Sequence, residues 1–262
     1  MILASFEWGD VDGRRVVCLH GVTNHGRTFA ALAERLPACR VVALDLLGHG
    51  SSPWEPPWSI DAHCAAILDT IDRKPAVFVG HSFGGRLAFE LAAREPELVS
   101  RLVLLDPAIL IPGHVALAAA ENARLERSYV SFDELVDRRY EESQLRFAPR
   151  ELVTNDLAPH VETGDDGLVR YRYCQSAVVA AYGEMASRPP PFDDARVPTL
   201  LVLGESSYLP YDHLLDAHRA ALGDLLEVVV VPGGHSVLWD ALEETSTVVA
   251  EFLASEPRTP PR

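Results

Sequence analysis

Gly80-His81-Ser82-Phe83-Gly84-Gly85 is the stretch on which the reading of this chain turns. It follows a short apolar run, Ala76-Val77-Phe78-Val79, and it opens a segment at 84–94 with apolar residues at helical spacing. A run of that length and composition predicts a buried strand, and the segment after it predicts a helix. Ser82 then sits at a sharp strand-to-helix turn. Glycines at 80 and 84 suit such a turn, because side chains there would collide with the neighbouring elements.

The same rhythm continues in both directions. Val16-Val17-Cys18-Leu19, Arg40-Val41-Val42-Ala43-Leu44, Leu102-Val103-Leu104-Leu105, Thr199-Leu200-Leu201-Val202-Leu203 and Glu227-Val228-Val229-Val230-Val231 read as further strands. Their continuous apolar character means burial on both faces, as in a parallel sheet. Residues 28–36, 60–71, 212–222 and 237–253 have helical spacing. This alternation predicts an α/β fold with a doubly wound, mostly parallel sheet and helices on both faces. One interval breaks the rhythm. Residues 107–197 contain no strong strand and read as helices over 116–129, 132–144 and 171–188, with a turn at Asp165-Asp166-Gly167. Such an interval is too long for a connection. It is predicted to be a helical cap over a core made of residues 1–106 and 198–262. Pro189-Pro190-Pro191 marks the return to the core, and the tail 256–262, with three prolines, is predicted to fray.

Composition excludes several classes. Hydrophobic residues make up 48% of the 262 positions and charged residues 23%, which suits a folded domain rather than a disordered one. With 23 Lys and Arg against 38 Asp and Glu, the net charge is −15. An acidic surface without a basic run repels nucleic acid and anionic membranes. The start, Met1 to Trp8, has neither a basic segment nor a long apolar one, so no signal peptide is expected, and no apolar run is long enough to span a bilayer. Cys18, Cys39, Cys64 and Cys174 form no C-x-x-C pair and no zinc-like cluster, which suits a reducing compartment. The expectation is a cytoplasmic protein, monomer or homodimer, acting on a small molecule without metal or organic cofactor.

The Ser82 turn has a chemical meaning. It pushes a hydroxyl out of the sheet, and the start of the following helix offers a backbone N–H and a favourable dipole to a developing oxyanion. Leu19-His20-Gly21-Val22-Thr23 closes the first strand, and its loop can aim the Val22 N–H at Ser82, opposite that of Phe83. Pro232-Gly233-Gly234-His235-Ser236 follows the last strand, from which His235 can reach Ser82 across the strand ends. Of the other histidines, His25 lies close enough to touch a substrate. His20, His49 and His81 read as structural members of their loops, and His63, His114, His160, His213 and His218 as surface or packing residues.

Taken together, His20-Gly21, Asp45 through Ser52, Gly80 through Gly85, Gly204 and Gly233-Gly234-His235 make the chain resemble the α/β-hydrolase fold over nearly its whole length. The resemblance implies a core sheet of about eight strands, a cap inserted after the sixth, and a serine nucleophile assisted by His235. It also implies an acid three residues after Gly204, where this chain has Ser207. A serine cannot replace a carboxylate beside the histidine. Some members of the fold place the acid at the end of the strand that here ends before Asp106. Asp106 is therefore the replacement, with Glu205, Asp212 or a two-residue catalytic pair as alternatives. The implied activity is cleavage of a small or medium, mainly apolar carboxylic ester, lactone or thioester through an acyl-enzyme on Ser82. A carbon–carbon bond hydrolase, a cofactor-free perhydrolase and a ligand-sensing member share the fold. His25, Ile109, Leu110, Tyr173, Tyr182 and Leu238 are the expected substrate-lining residues.

Overall fold

The apolar runs become strands because both of their faces are covered. The structure, a computed structural model, describes residues 1–256; residues 257–262 of the expected frayed tail lie outside them. The strands are β1 (Ser5–Gly9), β2 (Arg14–Leu19), β3 (Cys39–Leu44), β4 (Ala76–His81), β5 (Val99–Leu105), β6 (Val161–Thr163), β7 (Val169–Tyr171), β8 (Thr199–Gly204) and β9 (Leu226–Val231). Seven of them form one sheet in the order β1-β3-β2-β4-β5-β8-β9, and β6 and β7 form a separate antiparallel hairpin. All pairings in the large sheet are parallel except β1 with β3. The helices are α1 (Ala30–Glu34), α2 (Ile60–Thr70), α3 (Phe83–Arg94), α4 (Gly113–Ala123), α5 (Phe132–Glu142), α6 (Arg150–Leu157), α7 (Gln175–Ala186), α8 (Asp212–Leu222), α9 (Val237–Asp240) and α10 (Leu242–Ala254).

Alternate residues of each strand feed two cores. Val17, Leu19, Val42, Leu44, Phe78, Leu102 and Leu104 pack with α2 and α3. Val16, Cys18, Val41, Ala43, Val77, Val79 and Val103 pack with Phe29 and Leu32 on one side and with Val249 and Phe252 of α10 on the other. Each such side chain contributes about 1.5–3 kcal/mol by leaving water.

The α/β fold is as expected, and its differences from the expectation have local causes. The sheet has seven strands rather than about eight. Residues before β1 do not pair as a strand, because the Leu3 N–H donates to Thr70 Oγ1 and the Ala4 N–H to Ser52 Oγ. The long insertion leaves after the fifth strand in chain order, not the sixth. It also contains a hairpin and α6, neither of which was read from the sequence. α4 stops before Tyr129 because that residue exchanges backbone hydrogen bonds with Val169 of β7. α7 starts at Gln175 because Tyr171 pairs with Val161. The predicted helix 237–253 is two helices, broken at Ala241.

The insertion is anchored where it enters and leaves. Arg86 of α3, itself buried, donates to the Ile109 carbonyl at the entry, and to the Ser187 carbonyl (3.1 Å) and Ser187 Oγ (3.2 Å) at the exit. Glu90, one turn on, meets Arg86 at 2.9 Å. Among the described residues no helix is long and apolar enough to cross a membrane.

Candidate active site

Six neighbouring parallel strands, β3-β2-β4-β5-β8-β9, end on one side of the sheet, and the loops that leave them meet there. Ser82 follows β4 with φ 53° and ψ −117°. For a residue with a Cβ this conformation costs on the order of 1–3 kcal/mol. Backbone hydrogen bonds impose it: the Ser82 N–H donates to the Leu105 carbonyl (3.2 Å), and the Ser82 carbonyl accepts from Gly85 and Ala108 (3.0 Å each). The glycines are needed for close approach. A Cβ on Gly80 would lie 2.3 Å from the Gly84 carbonyl oxygen, and one on Gly84 would lie 2.0 Å from that of Leu19.

Two backbone donors flank the serine. The Phe83 N–H opens α3, where no intrahelical acceptor is available. The Val22 N–H lies in the loop after β2. Neither has a hydrogen-bond acceptor among the described residues. The Val22 N–H is aimed by the other end of its own peptide. The Gly21 carbonyl accepts from His20 Nδ1 (2.7 Å) and from the Asn24 N–H (3.1 Å), and a trans peptide then directs the Val22 N–H the opposite way. His20 can donate from Nδ1 because its Nε2 accepts the Leu46 N–H (2.9 Å). Burial, and then the neighbouring His49, pushes the His20 pKa well below its ordinary value, so the ring is neutral and keeps that tautomer. His49 donates from Nε2 to the Val22 carbonyl and pins the loop from the next peptide. Asp45 holds the supporting loop by accepting from the N–H groups of Gly26 (2.8 Å) and Ser51 (2.9 Å).

His235 follows β9 and its Nδ1 donates to Asp106 Oδ2 at 2.6 Å. Asp106 follows β5 at φ 42°, held by its N–H donating to the Val202 carbonyl (2.7 Å). The carboxylate takes two more donors: the Gly204 N–H at 2.9 Å on Oδ1, and Ser207 Oγ at 2.5 Å on Oδ2. The residue that stands where an acid was implied therefore donates to Asp106. Glu205 and Asp212 are exposed. His81 donates from Nε2 to the His235 carbonyl (2.9 Å). Burial, and then the proximity of His235, pulls the His81 pKa down to about 4, which keeps it neutral.

A cavity of about 150 Å³ joins these parts. Gly21, Val22, Ser82 and His235 line it from the sheet, and Val115, Arg139 and Tyr182 from the insertion. Of the six residues expected to line it, Tyr182 alone does. His25 is buried elsewhere, stacked on His160 with ring centroids 4.4 Å apart and its Nε2 3.3 Å from Asp156. Ile109 is fully buried in the core, and Leu110 packs against the same core. Tyr173 stacks on Tyr171 and lines a different groove with Arg127. Leu238 belongs to the core on the other face of the sheet. Four of these five lie outside helices, where the path of the loop and not a periodic pattern decides which way a side chain faces.

Arg139 and Asp240 are among the residues that escaped the sequence reading. Arg139 shares the buried face of α5 with Leu135 and Val136, and a basic residue on that apolar stripe was a legible signal. Asp240 gave no local signal. Its Oδ1 accepts the N–H groups of Arg146 (2.9 Å), Phe147 (3.0 Å) and Ala148 (3.1 Å), and its Oδ2 that of Gly234 (2.9 Å). It thereby fastens the insertion to the loop that carries His235. Among the described residues no group of three or more His, Cys, Asp or Glu is placed to hold a metal ion.

Residues 16–248 match the model of the alpha/beta hydrolase family. Lipase LipV of Mycobacterium tuberculosis is 33% identical over 253 residues, covering 94% of this chain and 95% of that protein. 2-(Acetamidomethylene)succinate hydrolase of Mesorhizobium japonicum is 30% identical over 252 residues, covering 92% and 88%. Among solved structures, E-2-(acetamidomethylene)succinate hydrolase superposes with a TM-score of 0.85 at 25% identity, covering 97% of this chain and 95% of that one.

Proposed function

The chain belongs to the alpha/beta hydrolase family, and on that premise we propose that it is a serine hydrolase with Ser82 as nucleophile, His235 as general base and Asp106 as the acid that orients the base. The observation that carries this reading is the 2.6 Å hydrogen bond from His235 Nδ1 to Asp106. It fixes the proton on Nδ1 and leaves Nε2 free to accept the proton of Ser82.

The reaction is acyl transfer in two halves. As Ser82 Oγ attacks the substrate carbonyl carbon, its proton passes to His235, and the carbonyl oxygen becomes an oxyanion held by the N–H groups of Val22 and Phe83. The leaving alcohol or thiol takes the proton back from His235 as the tetrahedral centre collapses to the acyl-enzyme. Water then attacks the acyl carbon, giving its proton to His235. Collapse of the second tetrahedral centre returns that proton to Ser82 and releases the carboxylic acid. Asp106 stays ionised throughout and offsets the imidazolium.

Residues 107–197 act as a cap that closes the cavity and selects the substrate. At about 150 Å³ the cavity is below the ~300–1,000 Å³ of sites that take drug-sized ligands. That supports a compact acyl group on an ester, lactone or thioester. The four free cysteines favour a reducing, cytoplasmic setting. Ser82→Ala is expected to abolish both hydrolysis of a short-chain nitrophenyl ester and labelling by a fluorophosphonate, with the fold retained by circular dichroism. Undiminished turnover in that variant refutes the mechanism.

A further inference from the structure

One charged side chain in the cavity lacks a partner of opposite charge. Arg139 is 5% exposed and lines the cavity together with Ser82 and His235. Its Nε donates to the Tyr171 hydroxyl (3.1 Å), Nη1 to Thr23 Oγ1 (3.0 Å) and Nη2 to the Thr23 carbonyl (3.3 Å). A guanidinium has five N–H groups. Two of them, one on each Nη, therefore have no acceptor among the described residues. No described carboxylate forms an ion pair with Arg139 within 4.0 Å. The acids nearby are already engaged: Glu142 pairs with Arg127, and Asp156 accepts from Thr28 and Trp239 and faces His25. Arg86, equally buried, shows the usual solution in its ion pair with Glu90. The rings of Tyr171 and Trp239, 4.6 and 5.8 Å from the guanidinium, attract a cation but do not neutralise it. Arginine keeps its proton even when buried, so the cavity holds a permanent positive charge that no carboxylate contacts, Glu142 and the tyrosines Tyr171 and Tyr173 easing it without pairing with it.

We propose that Arg139 binds a carboxylate of the substrate, and that the enzyme acts on esters whose acyl group ends in a free carboxylate. The proposal rests on the reading of Ser82 as nucleophile and names the substrate class of that site. Thr23 takes the parallel outward pair of N–H groups, one from each Nη, so the two free N–H groups diverge and a carboxylate oxygen accepts one of them beside the positive charge. The position fits as well. Arg139 is tied to Thr23, the residue after Val22, so its charge lies about one residue, ~4 Å, plus a hydrogen bond from the amide that faces the reacting carbonyl. An acyl chain of about four to six carbons spans such a gap. Ala108, Ile111, Val115 and Met185 line the same cavity and give it an apolar wall suited to methylene groups.

A purely structural Arg139, tying α5 to the Thr23 loop, makes a different prediction about charge. The test is calorimetric titration of the Ser82→Ala protein with monomethyl glutarate and with dimethyl glutarate. The acid monoester is expected to bind at least about tenfold more tightly, the difference expected of a hydrogen bond to a charged group. Adding Arg139→Met is expected to erase that preference. Equal affinities in the Ser82→Ala protein overturn the proposal, whether or not the Arg139 variant folds. Wild-type turnover separates the two readings. Hydrolysis of both esters with no preference for the acid one removes the carboxylate site and leaves Ser82 as nucleophile. Tight, Arg139-dependent binding of the acid ester with no turnover keeps the site and removes the hydrolase mechanism.

Discussion

Replacing Asp106 with Asn changes one atom and forces a choice between two orientations, both unfavourable. Asp106 accepts the Gly204 N–H on Oδ1, and both His235 Nδ1 and Ser207 Oγ on Oδ2. If the Asn oxygen faces Gly204, its NH2 group faces His235. The imidazole must then accept at Nδ1, its proton moves to Nε2, and it can no longer take a proton from Ser82. If the oxygen faces His235 instead, the NH2 group meets the buried Gly204 N–H. An unsatisfied donor of that kind costs about 1–3 kcal/mol. Imidazole tautomers differ by less than that, so the first orientation wins and the base is lost. In either orientation the charge that offsets the imidazolium is gone. The expected fall in kcat is about 10³–10⁴-fold, or roughly 4–5.5 kcal/mol of transition-state stabilisation. Asn also tolerates the positive φ of 42° at this position better than Ala would, so the fold should survive. The assay is kcat on a nitrophenyl ester together with the rate of fluorophosphonate labelling, with Glu205→Gln and Asp212→Asn as exposed controls that should stay within about twofold. A loss below tenfold in Asp106→Asn, or an equal loss in Glu205→Gln, refutes the assignment.

Gly84→Ala would put a Cβ 2.0 Å from the Leu19 carbonyl oxygen, which is backbone and cannot step aside. At least about 1–3 kcal/mol of stability should be lost, and a melting temperature within ~2 °C of the wild type would show that the turn yields instead. Stability should also fall with acid. Burial pulls the pKa of His63 down to about 3 and those of His81 and His218 to about 4, against 6.5 in the unfolded chain. The unfolded chain therefore binds more protons between those limits. The stabilisation is complete above pH 6.5 and is lost as the pH falls towards 4, by up to about 1.4 kcal/mol per pH unit for each histidine. A melting temperature that stays flat from pH 7.5 to 5 contradicts this.

Legibility in the sequence followed the range of the interactions. Strand positions were readable because continuous apolar runs report burial on both faces, as Val16 to Leu19 do by feeding one core with Val17 and Leu19 and the other with Val16 and Cys18. In the large sheet only β1 escaped: it is an edge strand whose alternating exposed and half-buried residues carry a weak signal. The break at Ala241 was invisible for a different reason. Asp240 there serves the backbone of residues 146–148, more than ninety positions away in the chain. The substrate-lining residues failed because α7 exposes Tyr182 and Met185 to the cavity while Tyr173, just before it, turns to Tyr171.

The turn at Ser82 shows where the division falls. Its glycine spacing and its position between a strand and a helix are set by contacts among close neighbours, so the sequence by itself determined the turn, the α/β fold and the residue that the turn presents to the cavity. Partner choice needed the sheet. His235 and Asp106 are 129 positions apart, Arg139 and Thr23 are 116 apart, and Ser207 reaches Asp106 across 101. No local pattern encodes those pairs. They meet because β2, β4, β5, β8 and β9 lie side by side and end together, with the insertion laid over their ends. Which carboxylate holds the histidine, and which charge waits in the cavity, was decided by tertiary structure, because hydrogen bonds and ion pairs depend on distance in space and not on distance along the chain.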